Sequence, residues 1–513
     1  MFRFQNFFLI NLSIFFLRLI YIKVSPFDLS PEEAQYWDWS RHLDISYYSK
    51  PPLIAYLNWL STHILGNTEV AVRGWSALFG FLSSILLYFI VKDFFKDRKL
   101  AFLIGLLPNL FVGFNALSFV FTTDTPLFFF WGLSFYLLYK AVEEDKTLYW
   151  VLLGISGGLG FLAKYSMAFF FPLGIIYILL RKPHLFKTVK PYLAIFIGFA
   201  FTIPVLWWAY KHDWVSFKHV LNLSGIEKKS RFPYWKGFFN FLISQLVILS
   251  VGFYFYMLYG WVKNFYPKGK LFPFVLFSFF PYLFFQLLSL KKFVYGNWAG
   301  FAYFTGGIIT AFYFVKSFKR KWLYPFAILS VLLALFLNAI TFYPPLIDKL
   351  HLTKLLPPKK DPTRVMIGWH DLGSLVSQNF NPKTDFIFSN LYQISSELAF
   401  YTKGNPQTYV FNYYQRMNQF DIWQIKNFQL FEKWLSGQPI PPYKVFNWEK
   451  LKGKNGIFVT YFRNPPKRIM KHFKRKLWTK KVVIFWRGVP IQTYYIHYLV
   501  DFDGNYNPII KGF

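Results

Sequence analysis

The sequence contains no cysteine. Disulfides and thiol chemistry are excluded, so packing and polar contacts alone must hold the fold. Acids are scarce, with 24 Asp and Glu against 57 Lys and Arg, for a formal net charge of +33. Charged residues of either sign make up only 16% of the chain, while 55% is hydrophobic and 68 residues are Phe. A water-soluble chain of 513 residues needs more polar surface, so the composition points to a multi-span membrane protein. The sequence also lacks an internal repeat, a glycine-rich phosphate loop and a signal-peptide cleavage pattern. The apolar run 7–24 is long enough to cross a bilayer and is expected to be a retained first helix. Nucleic acid is not an expected partner for a chain that spends most of its length in lipid. The basic balance fits anionic lipid headgroups or phosphorylated glycolipids, and equally a lysine-rich solvated surface.

Apolar segments at 7–24, 73–92, 100–118, 126–141, 149–163, 166–181, 191–209, 237–259, 271–289, 298–315 and 322–341 predict eleven spans, within a range of about 11–13. With the N-terminus inside, the links 92–99, 140–146, 181–190, 263–270 and 316–321 are cytoplasmic, and four of them are clearly basic. The first external link is then 25–72. The loop 210–236 breaks the charge rule, carrying Lys211, Lys218, Lys228, Lys229, Arg231 and Lys236 outside. It reads as a phosphate-holding loop or as an exposed surface helix.

The expected fold class is an α-helical multi-span membrane protein, residues 1–341, followed by an extracytoplasmic α/β domain, residues 342–513. The second part holds the strand-like runs DFIFSN, TYVFN, GIFVTYF, KVVIFW and QTYYIHYLV, with a helical stretch at 395–401. The Pro-rich basic junction LLPPKKDPTR at 355–364 reads as a hinge or lid.

The most informative stretch is SPEEAQYWDWSRHLDISYYSKPPLIAYL at 30–57. Ionisable groups held beside a bilayer are costly and point to function. Ser30, Pro31 and Glu33 have the spacing of a capping box, which gives Glu33 a structural alternative. Glu32 is not used by that box and is free to act as a general base. Lys50 precedes Pro51-Pro52, which hold it in an extended turn; it suits a lipid phosphate or an ordinary snorkelling role. Asp124, in TTDTP, is either a helix cap or a second acid at the same face. Lys164, in LAKYS, interrupts an apolar region and needs a partner, either Asp124 or a substrate phosphate. The histidines show no tight metal-ligand spacing.

Taken together, PEEAQYWDWSRHLDISYYSKPPLIAYL, TTDTPLFFFW, LGFLAKYS, NWAGFAYF, DPTRVMIGW and ELAFYTKGNPQTYVFN with NQFDIW resemble one family along nearly the whole chain. It is the bacterial branch of GT-C lipid-dependent glycosyltransferases, related to protein O-mannosyltransferases and to the aminoarabinose transferase of lipid A. The resemblance implies an inner-membrane, multi-pass enzyme with its active site and C-terminal domain in the periplasm. Its donor would be a sugar on a polyprenyl phosphate. Its acceptor would be lipid A, lipopolysaccharide or another envelope glycan. By position Glu32, Glu33 and Asp124 match the family's acids, although the usual pair is Asp-Glu. Lys50 and Tyr47 match its phosphate-contacting residues, with Lys164 and Arg231 as further cations. The aminoarabinose branch has a glutamate where this chain has Ser49, which weakens carry-over of its metal site and its sugar. No cofactor is implied beyond an optional divalent cation.

Three other activities compete. One is transfer to protein Ser or Thr. A lipid flippase or transporter is expected to show repeats and broken midplane helices. A non-catalytic glycan-binding scaffold is the third.

Overall fold

A computed structural model describes residues 2–224 and 232–511, without the side chains of 223 and 224. All eleven apolar segments are helical. They are not eleven straight spans. Five helices are individually long and apolar enough to cross a membrane: Phe4–Val24, Glu69–Phe95, Lys190–Lys211, Gly296–Ser317 and Tyr324–Phe342. The segment expected at 237–259 is the pair Trp235–Leu249 and Val251–Lys263, bent by 105°. The break is at Ser250, whose φ of 68° no helix accommodates. The segment at 100–118 is likewise interrupted, passing through a 3-10 turn at Leu107–Leu110 that contains Pro108.

One set of polar side chains inside the bundle is paired across helices. Arg18 donates to Asn109 at 2.8 Å and to Asn115 at 2.9 Å, and Asn115 donates to Asn338 at 2.8 Å. This network ties the first helix, the interrupted segment and the last helix together. Close helix approach is bought with small residues: a Cβ at Gly154 would lie 2.7 Å from the Ala194 carbonyl.

Beyond Phe342 the chain forms seven strands: β1 Asp385–Ser389, β2 Thr408–Val410, β3 Tyr413–Gln415, β4 Asn455–Thr460, β5 Phe473–Trp486, β6 Val489–Phe502 and β7 Ile509–Ile510. The five strand-like runs of the sequence make one sheet in the order β2-β1-β4-β6-β5. β1 is parallel to β2 and β4, with Ile387 opposite Thr408 and Ile457. β6 is antiparallel to β4 and β5. β3 and β7 form a separate parallel pair. The α/β expectation holds, and the helix Tyr392–Tyr401 occupies the expected place.

That helix lies on the helix Pro31–Ser40 of the link 25–72. The Trp37 and Phe400 rings meet edge to face at 4.9 Å. The Tyr401 hydroxyl accepts from the Leu29 N–H at 2.6 Å and donates to Glu69. The junction 355–364 is pinned rather than loose. Arg487 reaches Asp348 at 2.6 Å and Asp361 at 3.3 Å, and the Trp486 indole donates to Asp361 at 3.0 Å.

Candidate active site

The helix Pro31–Ser40 begins with the capping box read from the sequence. The Ser30 hydroxyl accepts from the Glu33 N–H, and the Glu33 carboxylate accepts from the Ser30 N–H at 2.9 Å. The remaining capacity of Glu33 is also taken. Arg73 donates to both of its oxygens at 2.9 Å, and the Phe121 N–H donates to Oε1 at 2.9 Å. Both side chains are fully buried. The expected catalytic part for Glu33 therefore gives way to the structural alternative: it fixes the loop against the second long helix and has no lone pair aimed outward.

Glu32, one position earlier, faces the other way. It is exposed. Its charge acts on Tyr36, Lys50 and Tyr392. Tyr36 is on the same face of the helix, at i, i+4.

Lys50 is half-buried and is held by the Pro51-Pro52 turn. It feels Lys164, Glu32, Asp124 and Arg416, so these charges lie within electrostatic reach of Lys50. Desolvation first, and then Lys164, push the Lys50 ammonium down to about 8.

Asp124 opens the helix Asp124–Glu144. Its Oδ1 accepts from the Lys164 ammonium at 2.7 Å and its Oδ2 from the Asn297 amide at 2.9 Å. Lys164 is at the break between the helix Thr147–Ala163 and the 3-10 turn Tyr165–Phe169, where the chain turns back. Asp124 and Asn297 also form polar wall of a cavity of about 230 Å³, otherwise lined by Phe111, Phe114, Phe128 and Phe304. An ion pair and an amide thus meet an apolar hole inside the helical bundle.

Tyr47 does not reach this space with its hydroxyl. That group donates to the Trp39 carbonyl at 3.2 Å and the His42 carbonyl at 3.1 Å, and accepts from the Asp44 N–H at 3.2 Å. The ring stacks on Trp39 at 4.5 Å. Tyr47 is a pillar of the loop that presents Lys50, a correction to its expected phosphate contact. Arg231 lies outside the described residues.

The structure adds residues the sequence did not single out. Asn297, in the NWAG motif, had no charge to draw attention. Arg416, Gln419 and Tyr392 come from the C-terminal domain, and His219 from the helix Val215–Ser224. The Tyr48 N–H donates to Gln419 Oε1 at 2.7 Å across 371 positions. No local pattern announces such a pairing. Among the described residues no three His, Asp or Glu gather together.

Residues 49–208 match the family model described as dolichyl-phosphate-mannose-protein mannosyltransferase. The lipid A galacturonosyltransferase RgtD of Rhizobium johnstonii is 27% identical over 210 residues, 40% of this chain and 44% of that protein. An undecaprenyl phosphate-alpha-4-amino-4-deoxy-L-arabinose arabinosyl transferase of Proteus mirabilis is 24% identical over 291 residues, 51% of each chain. The chain thus spans about half the length of the curated relatives it matches. The crystal structure of ArnT from Cupriavidus metallidurans bound to undecaprenyl phosphate superposes with a TM-score of 0.64. It covers 96% of this chain and 97% of that one, at 14% identity. The resemblance read from the motifs is upheld: the chain has the GT-C membrane fold of the ArnT structure, and its residues 49–208 match the dolichyl-phosphate-mannose-protein mannosyltransferase model.

Proposed function

We propose that the protein is a glycosyltransferase that takes a sugar from a polyprenyl phosphate donor at the periplasmic face of the inner membrane. The acceptor is a hydroxyl of lipid A, lipopolysaccharide or another envelope glycan. The observation that carries this reading is the convergence of Glu32, Lys50 and the Asp124–Lys164 pair beside an apolar cavity. Breaking a sugar–phosphate bond needs a base for the incoming hydroxyl and positive charge for the departing phosphate. Glu32 is the exposed carboxylate available to take the proton. Lys50 supplies the charge, and Lys164, held by Asp124, adds to it. The cavity offers room for the first isoprene units of the donor, which keeps the reacting phosphate at the level of these groups. A single in-line displacement inverts the anomeric carbon and requires no glycosyl-enzyme intermediate. The relative named a lipid A galacturonosyltransferase supports a lipid A acceptor, and the one named for undecaprenyl phosphate supports the donor.

The test uses the full chain in nanodiscs with polyprenyl-linked sugars, together with mass spectrometry of lipid A and envelope proteins from a deletion strain. Sugar should be lost from lipid A or another glycan. Glu32→Gln should abolish turnover while undecaprenyl phosphate still binds. A Glu32→Gln enzyme with normal turnover refutes the base assignment. Sugar lost only from protein would move the reading to protein O-glycosylation.

A further inference from the structure

The cations expected in the site all belong to the membrane half of the chain. Arg416 belongs to the C-terminal domain, just after β3, and it is exposed. Its charge acts on Lys50, Tyr48, His219 and Tyr392. The segment that carries it is fixed. Asn418 and Asp421 form a capping box on the helix Gln419–Gln424. Asp421 Oδ2 also accepts from Asn412 at 2.9 Å. Gln419 Oε1 anchors the Tyr48 backbone, and the Trp423 ring lies 4.5 Å from His42.

Around Arg416 are buried polar atoms with no partner among the described residues: the Tyr48 hydroxyl, His219 Nδ1 and Gln419 Nε2. Their residues are 3%, 3% and 1% exposed, so water does not readily compensate them. The Tyr48 and His219 rings are 4.7 Å apart. Orphaned buried groups of this kind need an explanation, and here three of them cluster beside two cations. Tyr48 and Gln419 are donors, and His219 can be one. Desolvation, then Arg416 and Lys50, push the His219 imidazole down to about 3, so it is neutral and donates without adding charge. Glu32 and Asp124 also act on Lys50, and the acid of the Arg416 segment, Asp421, has its carboxyl pushed up to about 7 by burial, which weakens its repulsion of an anion.

We infer that Arg416, together with Tyr48, His219, Gln419 and Lys50, forms a subsite for a phosphate monoester, so that the C-terminal domain completes the site rather than merely covering it. Several donors converging with a guanidinium and an ammonium match the oxygens of a tetrahedral phosphate. The inference rests on the proposed glycosyltransferase reading for its setting. The phosphate can be that of the polyprenyl donor or one carried by a phosphorylated lipid acceptor.

The test measures lipid binding by the full chain in nanodiscs. One arm compares undecaprenyl phosphate with undecaprenol. The other compares bis-phosphorylated lipid A with its dephosphorylated form. Arg416→Ala should weaken binding of the phosphorylated member of one pair at least tenfold and leave the phosphate-free member unchanged. Arg416→Lys should restore part of the loss. The arm that responds identifies the source of the phosphate. Unchanged affinity in both arms, or equal loss for phosphorylated and phosphate-free lipids, overturns the inference. Should the alanine variant fail to fold, Arg416→Gln, judged by an unchanged melting temperature, replaces it with the same criteria. Phosphate-dependent, Arg416-dependent binding by a wild-type protein that transfers no sugar would sink the transferase reading and leave the subsite standing. Normal transfer with no Arg416 effect on binding does the reverse.

Discussion

Glu32 and Glu33 are neighbours in sequence and should give opposite phenotypes. Replacing Glu33 with Ala removes an acceptor that serves the Ser30 N–H, the Phe121 N–H and two nitrogens of Arg73. Arg73 retains the Phe27 carbonyl at 2.9 Å and the Asp28 carbonyl at 2.7 Å, but it loses its counter-charge in a fully buried position. Stranding one partner of a buried ion pair costs about 3–5 kcal/mol. Loss of the cap adds about 1 kcal/mol. Against a total stability of about 5–15 kcal/mol, Glu33→Ala should unfold at much lower denaturant. Glu32→Gln alters an exposed side chain, so its stability should stay within about 0.5 kcal/mol of wild type. The assay is equilibrium unfolding in mixed micelles, followed by tryptophan fluorescence, beside turnover measured on the folded fraction. A double variant, Glu33→Leu with Arg73→Met, should recover part of the loss, because no charge is then left unpaired. If Glu33→Ala unfolds within about 1 kcal/mol of wild type, the assignment of Glu33 to the scaffold is wrong.

Three further outcomes follow from the same geometry. Undecaprenyl phosphate affinity in the free enzyme should be fullest below about pH 8 and fall as pH rises through the lowered Lys50 value, and Lys50→Arg should remove that fall. A flat titration from pH 7 to 9.5 would exclude Lys50 from the phosphate contact. Asp124→Asn strands the buried Lys164 ammonium and should cost about 3–5 kcal/mol, with Lys164→Met restoring much of it; additive losses in the double variant would refute the coupling. Arg487→Met releases Asp348 and Asp361, so trypsin should cut at the exposed Lys359 and Lys360 faster than in wild type, as read by mass spectrometry of the fragments. Equal cleavage rates would show that other contacts pin the junction.

The sequence made some of this legible because the signals are local. A capping box spans four residues, and Ser30 to Glu33 carries its full signature. Alternating or continuous apolar runs bounded by turn residues mark strands, and all five in the tail joined one sheet. Lys164 needed a partner, and Asp124 was among the two partners foreseen. What escaped reading depends on distance or on backbone geometry. Ser250 gives no compositional hint that its φ is 68° and that the apolar segment bends there. Tyr47 and Tyr48 are adjacent and chemically identical, yet one hydroxyl is spent on the loop and the other is unpartnered among the described residues. Only the fold shows which way each ring turns. Arg416 sits in a basic chain where one more arginine carries no information, until Tyr48 and Gln419 bring its segment to Lys50.

The bond between residues 48 and 419 also orders events during biosynthesis. Tyr48 and Lys50 leave the ribosome early, whereas Gln419, in the helix Gln419–Gln424, is made only after the last apolar helix, Tyr324–Phe342. Until that late segment has folded, the early loop lacks the side chain that holds its Tyr48 N–H. A chain truncated after its final span would therefore hold its helices and most of its acids and amines, but lack the clamp. Maturation of the loop is thereby tied to successful folding of the tail.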